Sequence, residues 1–100
     1  MVEILRSATF DRWLRKLNDS RVVARILVRI DRLALGNPGD VKSVGGGVFE
    51  LRIDLGPGYR VYFARQDQTL VLLLCGGDKS TQSNDISTAQ RIANEWRNDG

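Results

Sequence analysis

FELRIDLGPGYR, residues Phe49 to Arg60, decides the fold. Phe49, Leu51 and Ile53 alternate with Glu50, Arg52 and Asp54, the period of two expected of a strand with one buried face. Gly56-Pro57-Gly58 reads as a turn, and Tyr59, Val61 and Phe63 resume the buried face on the return strand. Counting outward from Gly56 sets Ile53 against Tyr59, Arg52 against Arg60 and Leu51 against Val61. Like charges directly opposite each other on one sheet face repel. A bound polyanion would give a small domain a reason to keep such a pair, so the hairpin points to phosphate binding or phosphate chemistry.

Working outward from the hairpin, Val2 to Arg6 predicts a short first strand. Phe10, Trp13, Leu14 and Leu17 fall at helical spacing and predict a helix capped by Thr9, with Asp11 in its first turn. Asn18-Asp19-Ser20 breaks that helix and caps a second, whose stripe is Val23, Ile26, Ile30 and Leu33 and whose end is marked by Gly36 and Pro38. So short a break predicts an antiparallel helical hairpin. Residues 39–47 read as a loop, made mobile by Gly45-Gly46-Gly47. After a turn at Gln66-Asp67-Gln68, Thr69 to Cys75 is apolar throughout, as in a central strand covered on both faces. Gly76-Gly77 ends that strand, and residues 78–82 form a polar loop. Ser83 or Asn84 then caps a last helix that turns Ile86, Ala89, Ala93 and Trp96 to the core.

The predicted fold is one α+β domain over residues 1–100, in the order β-α-α-β-β-β-α. An antiparallel sheet packs against the N-terminal helical hairpin and is followed by a C-terminal helix. Its second face is expected to stay partly open, with Arg52 and Arg60 pointing onto it.

Composition narrows the chemistry. Fifteen Lys and Arg against twelve Asp and Glu give a net charge of +3, compatible with a nucleic-acid partner. The chain has no histidine, which removes Ser-His and Cys-His nucleophiles and the commonest general base. One cysteine and no histidine leave too few ligands for a zinc site, and no other cofactor is implied. Cys75 sits in an apolar run and reads as a core residue of a protein in a reducing cytosol. No secretory signal pattern is visible, and the longest apolar run, Leu70 to Cys75, is far too short to span a bilayer. A cytoplasmic location is the expectation.

The order of elements and two segments resemble the RelE/ParE superfamily of bacterial toxins, and within it the HigB-like addiction module killer branch. The segments are FELRIDLGPGYRVYF, Phe49 to Phe63, and LLLCGGDKSTQSNDISTA, Leu72 to Ala89; FDRWLRKLND, Phe10 to Asp19, also fits. The resemblance implies a type II toxin neutralised by a cognate antitoxin, a small helix-turn-helix protein, in a hetero-oligomer. It further implies a ribosome-dependent mRNA endoribonuclease that inhibits translation. The alternatives it carries are a non-catalytic toxin that binds DNA gyrase, and an attenuated relative that still binds its antitoxin.

Metal-independent RNA cleavage needs a base for the 2′-hydroxyl, positive charge on the phosphorane oxygens and an acid for the leaving 5′-oxygen. Arg52 and Arg60 suit the second role, because guanidinium stays charged and its fork matches phosphate oxygens. The resemblance adds Lys79, just beyond the third strand of the predicted meander. Tyr62 and Glu50, which face each other in the same register, are the candidates for proton transfer. Gln82 either holds the loop or contacts RNA. Arg21, Arg25 and Arg29, with Arg32, form a basic stripe on the second helix that would meet RNA phosphates. The plainer reading of each is also open: Arg52 paired diagonally with Glu50 or Asp54 on a solvated strand, Tyr62 as packing, Glu50 as charge balance and the α-helical arginines as a solvated face. Some HigB relatives use histidines and some RelE members a tyrosine near the C-terminus, and this chain has neither.

Overall fold

Five strands form one sheet in the spatial order β1-β5-β4-β3-β2, where β1 is Glu3–Arg6, β2 Val41–Gly45, β3 Val48–Ile53, β4 Tyr59–Gln66 and β5 Leu70–Gly77. Three helices accompany it: α1 (Ala8–Lys16), α2 (Ser20–Ala34) and α3 (Gln82–Asp99). The computed structural model describes residues 2–99. Among them no helix is long and apolar enough to cross a membrane.

The decisive hairpin has the expected register: Ile53 pairs with Tyr59, Arg52 with Arg60, Leu51 with Val61 and Glu50 with Tyr62. Its two faces belong to different cores. Leu51, Ile53, Val61 and Phe63 join Val71 and Leu73 of β5 beneath Phe10 and Leu14 of α1 and Val22, Ile26, Ile30 and Leu33 of α2. Val48, Tyr62 and Ala64 join Leu72, Leu74 and Cys75 beneath Ala89 and Ala93 of α3, with Ile86 and Trp96 at the margin. β5 is therefore apolar throughout because it is covered on both faces.

Several expectations need correction. The sheet is mixed, because β1 runs parallel to β5, with Glu3 against Leu70 and Arg6 against Leu73. Residues 39–47 hold a fifth strand: Val41 and Val44 turn partly inward while Lys42 and Ser43 face solvent, a pattern too short and polar to stand out and typical of a protected edge. Gly45, Gly46 and Gly47 all have positive φ and make the tight turn into β3. That turn is held, because Gln90 donates to the Val44 and Gly45 carbonyls and Arg97 to those of Gly46 and Gly47.

The caps differ too. Ser7, not Thr9, caps α1, accepting from the Phe10 N–H at 3.0 Å while its hydroxyl donates to the Leu74 carbonyl. Asp19 caps α2 as the sequence suggested. The polar stretch after β5 is a 3-10 turn, Lys79–Thr81, capped by Asp78 and running directly into α3. Finally, α3 packs Ala89 and Ala93 onto the face that was expected to stay partly open, and the candidate site lies at its end beside the β3–β4 turn.

Candidate phosphate-binding site

Alternation puts Glu50 and Arg52 of β3, and Arg60 and Tyr62 of β4, on the α3 side of the sheet. Glu50 is fully buried at 0% exposure and Arg60 nearly so at 8%. Burying an ionised carboxylate is costly unless donors satisfy it, and here four groups converge on it. Arg52 Nε donates to Oε1 at 3.0 Å, while Tyr62 Oη and Gln82 Nε2 donate to Oε2 at 3.0 and 2.7 Å. Arg60 Nε lies 3.8 Å from Oε1.

Desolvation alone would raise the Glu50 pKa. The hydrogen bonds from Gln82, Arg52 and Tyr62, with the charge of Arg60, overcome it and hold the carboxyl below its ordinary value. The same arrangement drives the other groups the opposite way. Burial first, and then the bond to Glu50, pushes the Tyr62 phenol upward. The bond to Glu50 likewise raises Arg52. Among the described residues this is a closed ionic knot: a carboxylate that stays charged, a phenol that keeps its proton and two guanidiniums aimed by one anion.

The knot explains how two arginines tolerate facing each other. Glu50 pairs with both, and Gly77 stands directly opposite Arg60 on β5, where the Asp85 carboxylate and the Thr81 hydroxyl fill the space its missing side chain leaves. Arg60 Nη1 donates to the Gly58 and Tyr59 carbonyls at 3.0 and 3.1 Å, while its buried Nε has no hydrogen-bond partner. Among the described residues no hydrogen bond occupies Arg60 Nη2 or either terminal nitrogen of Arg52. These donors border a cleft of about 350 Å³ lined by Asp40, Arg52, Asp54, Gly58, Arg60 and Lys79. Lys79 is exposed and lays its stem against Gly58. No three His, Cys, Asp or Glu side chains among the described residues gather as a metal site would need.

The predicted residues thus divide. Arg52, Arg60 and Lys79 share the cleft; Glu50, Tyr62 and Gln82 lie behind it. Arg21 and Arg25 stand apart, exposed on α2. Arg29 is half-buried and engaged, with Nη1 on the Arg52 carbonyl at 2.6 Å and Nη2 on that of Pro38 at 3.0 Å, bracing β3 from the opposite face. Asp40 and Asp54 were not singled out as site residues from the sequence. Asp54 carried a signal, since it continues the Glu50–Arg52 row by one more step of two.

The comparisons lead to the same class of small α+β fold with a five-stranded sheet. The chain is similar to a chain of the toxin–antitoxin complex RelBE2 from Mycobacterium tuberculosis, at 23% identity and a TM-score of 0.63, with 78% of this chain and 98% of that one covered. The fold is therefore RelE-like. Residues 12–97 match the family described as phage-derived Gp49-like proteins (DUF891), and the chain belongs to that family. An uncharacterized protein of Haemophilus influenzae is 56% identical over 94 residues, spanning 94% of this chain and 95% of its own. The RelE/ParE resemblance read from the sequence is borne out by these matches.

Proposed function

We propose that the chain is the toxin of a toxin–antitoxin module and an endoribonuclease that cuts mRNA on translating ribosomes, so inhibiting translation. The observation that carries the reading is the Arg52–Arg60 pair, steered by one buried carboxylate, with terminal N–H groups left for a ligand in the cleft shared with Lys79. The likeness to a toxin–antitoxin complex supports the toxin assignment and an antitoxin partner; the partner proposed is a small helix-turn-helix protein in a hetero-oligomer with this chain. The branch within the superfamily is HigB-like on the segments Phe49 to Phe63 and Leu72 to Ala89.

The 2′-hydroxyl oxygen attacks the adjacent phosphorus and the bond to the 5′-oxygen breaks, leaving a 2′,3′-cyclic phosphate and a 5′-hydroxyl. Arg52 and Arg60 meet the charge that grows on the phosphorane oxygens, in geometry fixed before the substrate arrives. Glu50 and Tyr62 act as positioning residues. The proton-transfer roles considered for them do not fit a carboxylate with no exposed surface, already held by four groups, or a phenol whose proton is committed to that carboxylate. Gln82 holds Glu50 rather than RNA. Arg21 and Arg25 add phosphate contacts that orient the chain on ribosomal RNA without reading sequence.

Induced expression in cells tests the reading. The wild type arrests growth with loss of protein synthesis, and a folded Arg52→Ala, Arg60→Ala variant does not. Full arrest by that variant, or inhibition of purified gyrase in a supercoiling assay without new RNA ends, overturns it in favour of a non-catalytic inhibitor.

A further inference from the structure

The cleft contains a proton acceptor that the ionic knot does not occupy. Glu50 and Arg52 share one face of β3, the first fully buried and the second half-exposed, and Asp54, the residue that follows the strand, places an exposed carboxylate at the mouth of the same cleft. No cation among the described residues pairs with Asp54. Asp40 lines the same cleft, its charge acting on Arg29 and Arg52.

Lys79 bounds the cleft from the other side. It follows β5, whereas Asp54 follows β3, and Arg60 of β4 lies between those strands. Neighbouring strands are about 4.8 Å apart, so the ends of β3 and β5 stand roughly 9.6 Å apart across β4.

We infer that Asp54 is the general base of the reaction and Lys79 its general acid, with the scissile phosphate held between them over Arg60 and Arg52. The inference rests on the nuclease reading above. In the step, the Asp54 carboxylate takes the proton of the 2′-hydroxyl as that oxygen bonds to phosphorus. The phosphorus–5′-oxygen bond breaks, and the Lys79 ammonium gives its proton to the departing oxygen. The enzyme ends with a neutral Asp54 and a neutral Lys79, which exchange their protons with water.

The test measures single-turnover cleavage of mRNA on programmed ribosomes by the full chain and its variants. Asp54→Asn should slow cleavage by about 10²- to 10⁴-fold, the range of a lost general base. Asp54→Ala should be partly restored by added formate, a response that a merely structural residue does not give. Inorganic phosphate, titrated against the arginine side-chain NMR signals, should bind Asp54→Asn at least as well as the wild type, because a negative charge has left the cleft. Cleavage by Asp54→Asn within threefold of wild type, or the absence of formate rescue, overturns the assignment while leaving the nuclease reading standing. No cleavage by the wild type itself overturns both.

Discussion

Replacing Glu50 by glutamine removes a charge and turns one acceptor into a donor at constant shape. The side chain is isosteric and fully buried, so the cavity and packing stay the same while two guanidiniums lose their common anion. The two losses are unequal. Arg52 keeps a third of its side chain in water and can rehydrate, so its share is the small one of a screened pair. Arg60 is 91% buried along its side chain and is left without a counter-charge, the situation in which breaking a buried pair costs about 3–5 kcal/mol. The amide oxygen still accepts one donor, but its NH₂ group now meets a phenol, an amide or a guanidinium that also donates. A net loss of about 3 kcal/mol is expected, a large part of the roughly 5–15 kcal/mol that holds such domains together. In thermal unfolding it lowers Tm by roughly 12–24 °C, at about 4–8 °C per kcal/mol for a domain of this size.

Urea unfolding of both proteins across pH supplies the sharper comparison. The folded-state pKa of Glu50 is depressed below 4.5, so its ionisation stabilises the fold above the unfolded value. That contribution is lost as pH falls through the depressed folded value. The gap between wild type and Glu50→Gln should be full above about pH 5 and close as pH drops below about 4. A gap under about 0.5 kcal/mol at pH 7, or one that widens on acidification, would refute the ionic-knot account.

Three further outcomes follow from neighbouring contacts. Gln82→Leu removes one donor from Glu50 and should raise the pKa of that carboxyl, read directly from its ¹³C shift in a pH titration, while costing about 1–3 kcal/mol in urea unfolding. Gly77→Ala would push a methyl into the Asp85 carboxylate and within 2.9 Å of the Thr81 hydroxyl, so it should destabilise by about 1–3 kcal/mol and loosen the first turn of α3, seen as faster amide exchange there. The Cys75 thiol is buried and pushed up to about 12 by desolvation and the nearby Asp85; Ellman's reagent at pH 8 should label it only as fast as the native protein opens, and should label urea-unfolded chain at once.

The hairpin was legible because strand period, turn residues and register are all local. Its two arginines could be set opposite each other by counting alone, and the register agrees. Not legible was what lies over that face. Covering it requires α3 to fold back across β3, β4 and β5, and its small core residues, Ala89 and Ala93, mark a helix face without saying which surface it meets. The roles of Glu50 and Gln82 were hidden for the same reason, since they touch across 32 residues of sequence. The edge strand β2 escaped because its alternation is short and flanked by glycines. Ser7 escaped because the strand ahead of it ends only one residue earlier, so a cap and a strand end are hard to tell apart. Arg29 reads as one member of a regular basic stripe, and only the fold shows its guanidinium turned to the Arg52 and Pro38 carbonyls.

Primer extension on an mRNA in a purified translation system, with wild-type chain and with Arg60→Ala, tests the proposed function most directly. The account predicts new 5′ ends within the reading frame that require ribosomes and disappear in the folded variant. The same ends produced by Arg60→Ala, or none from a folded wild-type chain that still arrests growth, would contradict it.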